Sequence, residues 1–132
     1  MEHIDNAVID GVFKKAKQSD RLRANYCLHT SPSDNIQKML NVLIPGTKIP
    51  IHRHHNTCET LILLKGKAII VYYDDSICEE ERIVLSQDNV LCVDIPKEKW
   101  HSVEIEEPVV LFEIKEGPYR PLCNDEIAEK ND

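Results

Sequence analysis

Positive charge is scarce in this chain: 16 Lys and Arg residues stand against 23 Asp and Glu residues, for a net charge of −7. This balance argues against a general nucleic-acid or anionic-membrane surface. No stretch approaches the roughly 18 apolar residues that a membrane span requires. The first residues, MEHIDNAVIDG, are acidic and lack the long apolar run of a secretory signal. We therefore expect neither a nucleic-acid partner nor a membrane partner.

The chain also lacks any Cys-x-x-Cys pair. Its five cysteines are odd in number and widely scattered, which suits reduced thiols rather than a disulfide framework. This pattern predicts a cytoplasmic protein. Cys58 stands next to Glu59, but neighbouring side chains of a strand point to opposite faces, so we expect Cys58 to face away from anything that Glu59 binds.

A length of 132 residues fits one domain, 1–132, with a sizeable core. Residues 5–18 carry apolar side chains at helical spacing and predict one helix, packed on the outside of a sheet or on a partner subunit. Between residues 21 and 115, short apolar runs separated by polar turns predict an all-β sandwich or barrel. Residues 116–132 form the predicted C-terminal tail, polar enough from Asn124 onward to fray.

The segment from Gly46 to Gly66, GTKIPIHRHHNTCETLILLKG, concentrates side chains that bind metals. His52 and His54 are two residues apart, so an extended strand would direct both imidazoles to one face, whereas His55 would face away. Glu59 opens the next apolar run. If that run pairs antiparallel with the strand of the histidines, Glu59 returns to them.

Two interpretations of this segment remain open. Histidines in a polar turn are commonly solvated surface residues. A carboxylate at the start of a buried strand, however, is costly unless it is paired or bound to a cation, so Glu59 favours a metal site. After Glu59–Lys65 we expect a tight turn at Gly66 with positive φ, and Lys67–Asp74 as the hairpin partner.

The spacing of these residues resembles the first conserved motif of the cupin superfamily, which is matched at Gly46, His52, His54, Glu59 and Gly66. The second motif is looser: Pro96 and His101 are kept, whereas Glu98 stands where the motif has glycine. Over roughly residues 4–122 the chain is similar to the small WbuC-type cupin-fold metalloproteins, most clearly at Arg21–Tyr26, Met39–Gly46 and Phe112–Tyr119.

This resemblance implies a cupin double-stranded β-helix, a jelly-roll-like barrel, with one N-terminal α-helix. It also implies that His101 joins His52, His54 and Glu59 around one divalent transition metal, since inward side chains of a small barrel converge at one mouth. Such a shell leaves one or two coordination positions open, as catalytic sites do. The ligand set does not choose among Fe, Mn, Ni, Co and Zn. Small cupins commonly pair, so we expect a homodimer.

Other side chains are candidates for the surroundings of this metal. Arg23 and Asn25 lie on a polar strand face, which is either the wet face of an edge strand or the lining of a pocket for an anionic or hydroxylated ligand. Trp100 is either a lid or core aromatic or a flat surface for a sugar ring. The general base is unknown, and the candidates for proton transfer, each of which has an ordinary surface role as its alternative, are His29, Glu98 and Tyr119.

Three functions use this scaffold. The first is a metal-dependent enzyme that isomerises or epimerises a small carbohydrate or nucleotide sugar in surface polysaccharide biosynthesis, since genes of WbuC-type proteins lie among those for polysaccharide synthesis. The second is an Fe(II)-dependent, dioxygenase-type cupin. The third is a non-catalytic sugar- or metabolite-binding module in which the metal is an anchor. Each takes a small-molecule ligand, and the motif spacing does not separate them.

Overall fold

The computed structural model describes residues 1–129 and begins with one α-helix, α1, at Asn6–Gln18. The side chain of Asp5 caps it by accepting a hydrogen bond from the Val8 backbone N–H at 2.9 Å. Lys15 and Lys17 lie in the last turn, where positive charge complements the helix dipole. Within the described residues, no helix has the length and apolarity needed to cross a bilayer.

In this described part of the chain, ten strands form two five-stranded sheets in which neighbouring strands run antiparallel. The first sheet has the order β1-β2-β9-β4-β7 and the second the order β10-β3-β8-β5-β6. The all-β prediction with one N-terminal helix is confirmed. The strands are β1 (Arg23–Cys27), β2 (Ile36–Leu43), β3 (Ile51–His52), β4 (Glu59–Lys65), β5 (Ala68–Tyr73), β6 (Glu79–Leu85), β7 (Cys92–Ile95), β8 (Trp100–Glu104), β9 (Val109–Glu116) and β10 (Ile127–Ala128).

The main core lies between the two sheets and is built by alternation along the strands. The first sheet contributes Leu61 and Leu111, and the second contributes Ile70 and Tyr72. A second apolar cluster joins α1 to the outer face of the first sheet, where Ile9, Val12 and Ala16 of the helix pack on Leu40, Val42 and Val110. The apolar stripe of α1 is therefore buried within its own chain.

The predicted hairpin between β4 and β5 is wrong, because these strands belong to different sheets. At Gly66 the chain crosses from one sheet to the other with φ +85°, and a Cβ there would lie 2.1 Å from the carbonyl oxygen of Pro108. The positive φ was predicted correctly. A local turn signal fixes the bend but does not say whether the two strands pair with each other.

The C-terminal segment is ordered where fraying was predicted. A short 3-10 helix at Asn124–Glu126 leads into β10, which pairs with β3. The side chain of Glu126 is buried and accepts hydrogen bonds from the backbone N–H groups of Cys123 and His55. These contacts tie the segment to the loop after β3. The last residues of the predicted tail, 130–132, lie outside the described part of the chain.

Candidate metal centre

His52 and His101 face each other across the β3–β8 pair, with ring centroids 4.2 Å apart. The Nδ1 of each ring lies 2.9 Å from the backbone carbonyl two residues earlier, Pro50 for one and Lys99 for the other. A carbonyl only accepts, so Nδ1 donates in both contacts. When the rings are neutral, each Nε2 therefore carries a free lone pair, the state in which imidazole binds a metal.

His54 and Glu59 complete a four-residue cluster from two other places in the chain. Glu59, the first residue of β4, reaches across from the first sheet, and its Oε2 lies 3.0 Å from His54 Nε2 and 3.7 Å from His101 Nε2. One ligand atom from each of His52, His54, Glu59 and His101 lies within 4.8 Å of all the others. The structure thus brings together the four residues that the sequence assigned to a metal.

The route by which they meet differs from the prediction. Strand β3 ends at His52, so His54 lies in the following loop rather than on a continued strand. β3 pairs with β8 and β10, whereas β4 pairs with β7 and β9. Glu59 therefore meets the histidines across the interior between the sheets, not across an antiparallel pair.

The burial of the cluster fits a bound cation. Glu59 is 6% exposed and His101 is 1% exposed. Among the described residues, Glu59 Oε2 and His101 Nε2 have no partner with hydrogen-bond geometry. Buried polar atoms without partners are costly, and a metal ion would satisfy both. Burial, and then the proximity of His101, lower the pKa of His52 to about 4, so its imidazole is neutral near pH 7.

A cavity of about 570 Å³ opens onto this cluster, within the range of small-molecule sites. Of the candidates for substrate binding or proton transfer, Arg23, Asn25 and Tyr119 line it. Arg23 and Asn25 reach it because alternate residues of β1 face the interior, while Ala24 and Tyr26 pack toward α1. The remaining polar or charged residues in its lining, apart from the metal cluster, are Arg21, Asn41, Glu113, Lys115 and Arg120.

Three other candidates do not line the cavity in the described part of the chain, and each has the surface or core role that the sequence left open as its alternative. His29 lies beyond the end of β1, where its Nδ1 accepts a hydrogen bond from the Lys38 backbone N–H at 3.1 Å. Trp100 precedes inward-facing His101 and so points to the outer face of the second sheet, where Arg53 stacks on its ring at 4.4 Å.

Glu98, the third of these candidates, binds His55 instead of facing the metal cluster. Its carboxylate oxygens both lie 2.9 Å from His55 Nδ1. Glu98 has φ +69°, the backbone conformation that glycine adopts readily in the usual motif. His55 Nε2 lies 3.1 Å from Asp125, so His55 faces away from the cluster, as predicted.

Sequence reasoning missed a buried acid beside the cluster. Glu113 lies on β9 opposite Leu61, and both side chains face the interior. Burial, and then the charge of Glu59, raise the pKa of the Glu113 carboxyl well above its ordinary value. The signal was the alternation Val109, Leu111, Glu113, which places a carboxyl on the apolar face of a strand.

Residues 4–85 match a family model described as a domain of unknown function (DUF6016). The chain belongs to the DUF6016 family. No curated protein sequence matches it. The family model carries no activity, so the function of this chain is argued from its site.

Solved structures identify the fold of this DUF6016 protein. The capsular polysaccharide assembling protein CapF from Staphylococcus aureus aligns with a TM-score of 0.64 and 24% identity, over 78% of this chain and 28% of that one. A protein from Acidithiobacillus ferrooxidans proposed to be a sugar phosphate isomerase gives 0.55 and 20%, over 72% and 59%. A cupin superfamily protein from Desulfitobacterium hafniense gives 0.55 and 18%, over 70% and 74%.

These similarities confirm the predicted cupin fold and extend no further than the fold. The chain spans less than a third of the length of the CapF chain that it matches. The narrower WbuC-type assignment stays a prediction.

Proposed function

We propose that this protein binds one divalent transition metal and uses it to isomerise or epimerise a small carbohydrate or nucleotide sugar of surface polysaccharide biosynthesis. The observation that carries the proposal is the cluster of His52, His54, Glu59 and His101, whose ligand atoms lie within 4.8 Å of one another beside a cavity of about 570 Å³. The arrangement of the four side chains supports a bound metal, and the cavity beside them supports a small ligand. The reaction class, isomerisation or epimerisation, is tested by solvent-deuterium exchange.

Three imidazoles and one carboxylate would hold Fe, Mn, Ni, Co or Zn and leave one or two coordination positions open. A metal bound there supplies Lewis-acid polarisation of a carbonyl or hydroxyl group. The protein contributes the orientation of the ligands: the backbone carbonyls of Pro50 and Lys99 hold two of the rings, and the surrounding sheets exclude water from His101.

The shape and lining of the cavity support a small polar ligand. Asn25 and Asn41 offer amide groups that can donate to and accept from hydroxyl groups, and Leu61 and Leu111 provide an apolar wall. Two structural relatives are described as a capsular polysaccharide assembling protein and as a proposed sugar phosphate isomerase, which is consistent with this ligand class.

Isomerisation or epimerisation at a carbon next to a carbonyl also needs a group that moves a proton. Tyr119 is the earlier candidate that lines the cavity, and we assign it this role. Replacement of Tyr119 by Phe removes the hydroxyl and keeps the ring. We expect turnover to fall at least about tenfold with unchanged metal content.

Solvent-deuterium exchange tests the proposed reaction. Metal-reloaded protein is incubated in D₂O with sugar phosphates and nucleotide sugars, and NMR follows both product formation and deuterium incorporation at carbon. We expect incorporation with at least one substrate, and none with the double variant His52→Ala/His54→Ala.

Two outcomes would contradict the enzyme proposal. Binding of a sugar to the metal-loaded protein without exchange or product would make it a binding module. Oxygen uptake by the iron-loaded protein, with no exchange in any substrate, would make it a dioxygenase-type cupin.

A further inference from the structure

Positive charge gathers around the cavity of a protein that is otherwise acidic. Among residues 1–129, four Lys or Arg residues line it, although the net charge of the chain is −7. Lys115 has a carboxylate oxygen of Glu113 at 3.9 Å. Within residues 1–129, the other three have no carboxylate oxygen within 4 Å of their guanidinium nitrogens; they are Arg21, Arg23 and Arg120.

Arg23 is fixed in position by neutral acceptors. Its Nη1 donates to the Lys48 carbonyl at 2.8 Å and to the Thr47 hydroxyl at 3.4 Å. Both contacts use the same nitrogen, so Nη2 and Nε keep donors for another partner. The residue is half-buried and lines the cavity. This guanidinium is partly buried and held in place without an anionic partner, so its free N–H donors can bind an anionic ligand.

The charges of the cavity are arranged by depth. The two carboxylates lie deep, since the side chains of Glu59 and Glu113 are 8% and 12% exposed. Arg21 and Arg120 are exposed residues of the lining, whereas the side chain of Lys115 is 18% exposed and lies beside Glu113. A ligand that enters this cavity therefore meets cationic groups first and the histidines of the metal cluster at the deep end.

We infer that the cavity takes a phosphorylated ligand, whose phosphoryl group binds Arg21, Arg23 and Arg120 while a hydroxyl or carbonyl group reaches the metal cluster. The inference rests on the proposed function and names its substrate class. Three guanidinium groups match the several oxygens and the double negative charge of a phosphoryl group better than the two oxygens of one carboxylate. The phosphoryl group binds and orients the ligand and takes no part in the reaction.

Calorimetric titration of the metal-loaded chain of 132 residues tests this inference with a matched set of probes. Fructose 6-phosphate and fructose differ only in the phosphoryl group, UDP-glucose carries a diphosphate, and gluconate carries a carboxylate. The variants are Arg23→Met, which removes the charge but keeps much of the side-chain length, and Arg23→Lys, which keeps the charge. Lys14→Met is the control, because it removes one exposed charge on α1 away from the cavity.

We expect fructose 6-phosphate or UDP-glucose to bind at least about tenfold more tightly than fructose and gluconate. Arg23→Met should weaken binding of the phosphorylated probe by about 10–100-fold and leave fructose within about twofold, since charge-assisted hydrogen bonds are lost only for the phosphorylated probe. Arg23→Lys should recover part of the loss. Lys14→Met should change each affinity by less than about twofold because of screening.

The metal content of each preparation separates the two proposals. With full metal occupancy, equal affinity for fructose and its phosphate, or tighter binding of gluconate, would overturn the phosphoryl site and leave the metal site standing. Equal effects of Arg23→Met and Lys14→Met would also overturn it. Binding of fructose 6-phosphate that depends on Arg23 in a protein that takes up no metal would support the phosphoryl site and overturn the proposed function.

Discussion

At the scale of single residues, the backbone prepares two imidazoles for a metal. The Nδ1 atoms of His52 and His101 are each held at 2.9 Å by the backbone carbonyl of the residue just before their strand, Pro50 and Lys99. This contact orients the ring and leaves Nε2 as the free nitrogen. Glu59 has no equivalent support for Oε2, which is buried without a hydrogen-bond partner among the described residues. A cation would therefore satisfy Oε2 of this buried carboxylate, together with His101 Nε2, which is also buried without a partner among the described residues.

Glu59→Gln tests this cation binding while the shape of the side chain is kept. The amide is neutral and a poor metal ligand. Mutation of residues that only hydrogen-bond to a metal ligand typically lowers metal affinity by roughly 10–100-fold, and we expect Glu59→Gln to lower it by more. Competition with a chromophoric chelator measures the affinity. Glu106→Gln, at an exposed turn, is the matched control and should bind like the wild type. Equal affinity of Glu59→Gln and the control would remove Glu59 from the ligand set.

Residue patterns predicted the metal cluster well and its surroundings less well. The four residues that come together were named in advance because the first cupin motif fixes the spacing of His52, His54 and Glu59, and the second motif supplies His101. Trp100 was left open between a lid or core aromatic and a surface for a sugar ring, and the alternation that turns His101 inward turns Trp100 outward into a core cluster. Glu113 was missed although the alternation Val109, Leu111, Glu113 already places it on the inner face of its strand. Asn41 was missed because its inward direction follows from the register that pairs it with Asn25, which no local pattern specifies.

At the scale of elements, the C-terminal segment supports the loop that carries His54. Glu126 Oε2 accepts from the His55 backbone N–H at 2.9 Å and Oε1 accepts from the Cys123 backbone N–H at 2.8 Å. Glu126→Gln weakens both contacts, so we expect unfolding free energy to fall by about 1–3 kcal/mol at pH 7. Chemical denaturation of the metal-free protein measures it, with Glu129→Gln as an exposed control.

The same carboxylate predicts a pH dependence. Hydrogen bonds from the backbone of Cys123 and then of His55 lower the pKa of Glu126 to about 2, below its ordinary value of 4.5. A depressed folded-state pKa stabilises the fold above pH 4.5, and this contribution disappears as the pH falls toward 2. The difference between wild type and Glu126→Gln should therefore shrink between pH 5.5 and 3. A constant difference over that range would contradict the assignment.

The crossing between the sheets at Gly66 gives a prediction with an internal control. A Cβ at Gly66 would lie 2.1 Å from the Pro108 carbonyl oxygen at φ +85°. Gly66→Ala should cost at least about 2 kcal/mol of unfolding free energy. Gly11, on α1, has open space around it, so Gly11→Ala should stabilise by about 0.5–1 kcal/mol. Similar melting temperatures for the two variants would refute the crossing.

The errors at this scale share one cause. The sequence predicted short strands between residues 21 and 115, but it made Lys67–Asp74 the hairpin partner of Glu59–Lys65. It also left open an antiparallel pair between the strand of the histidines and β4, which the described residues do not form. Local turn residues specify a reversal of the chain and not the partner of each strand. In a β-sandwich, each strand joins the sheet in which its apolar face is buried. The contacts that bury this face come from residues distant in sequence, so local patterns do not identify the partner strand.

At the scale of the whole molecule, the proposed metal joins the two sheets. Glu59 comes from the first sheet, whereas His52 and His101 come from the second. A ligand that binds only the folded state stabilises it, by about 2.7 kcal/mol at a free concentration 100 times its dissociation constant. Removal of the metal with a chelator should therefore lower the melting temperature, and Zn or Mn should restore it. An unchanged melting temperature would mean that no metal bridges the sheets.

The predicted homodimer stays a prediction. One argument for it was the apolar stripe of α1, and that stripe is buried on β1 and β2 of its own chain. Light scattering at micromolar concentration would establish the oligomeric state.

Metal content is the measurement that tests the central claim most directly. Mass spectrometry of untagged protein should find close to one equivalent of a divalent transition metal in the wild type and almost none in His52→Ala/His54→Ala. The control His3→Ala/His29→Ala removes two histidines outside the cluster and should keep the metal. No metal in the wild type after reloading with Fe, Mn, Co, Ni or Zn, or full metal in His52→Ala/His54→Ala, would contradict the account.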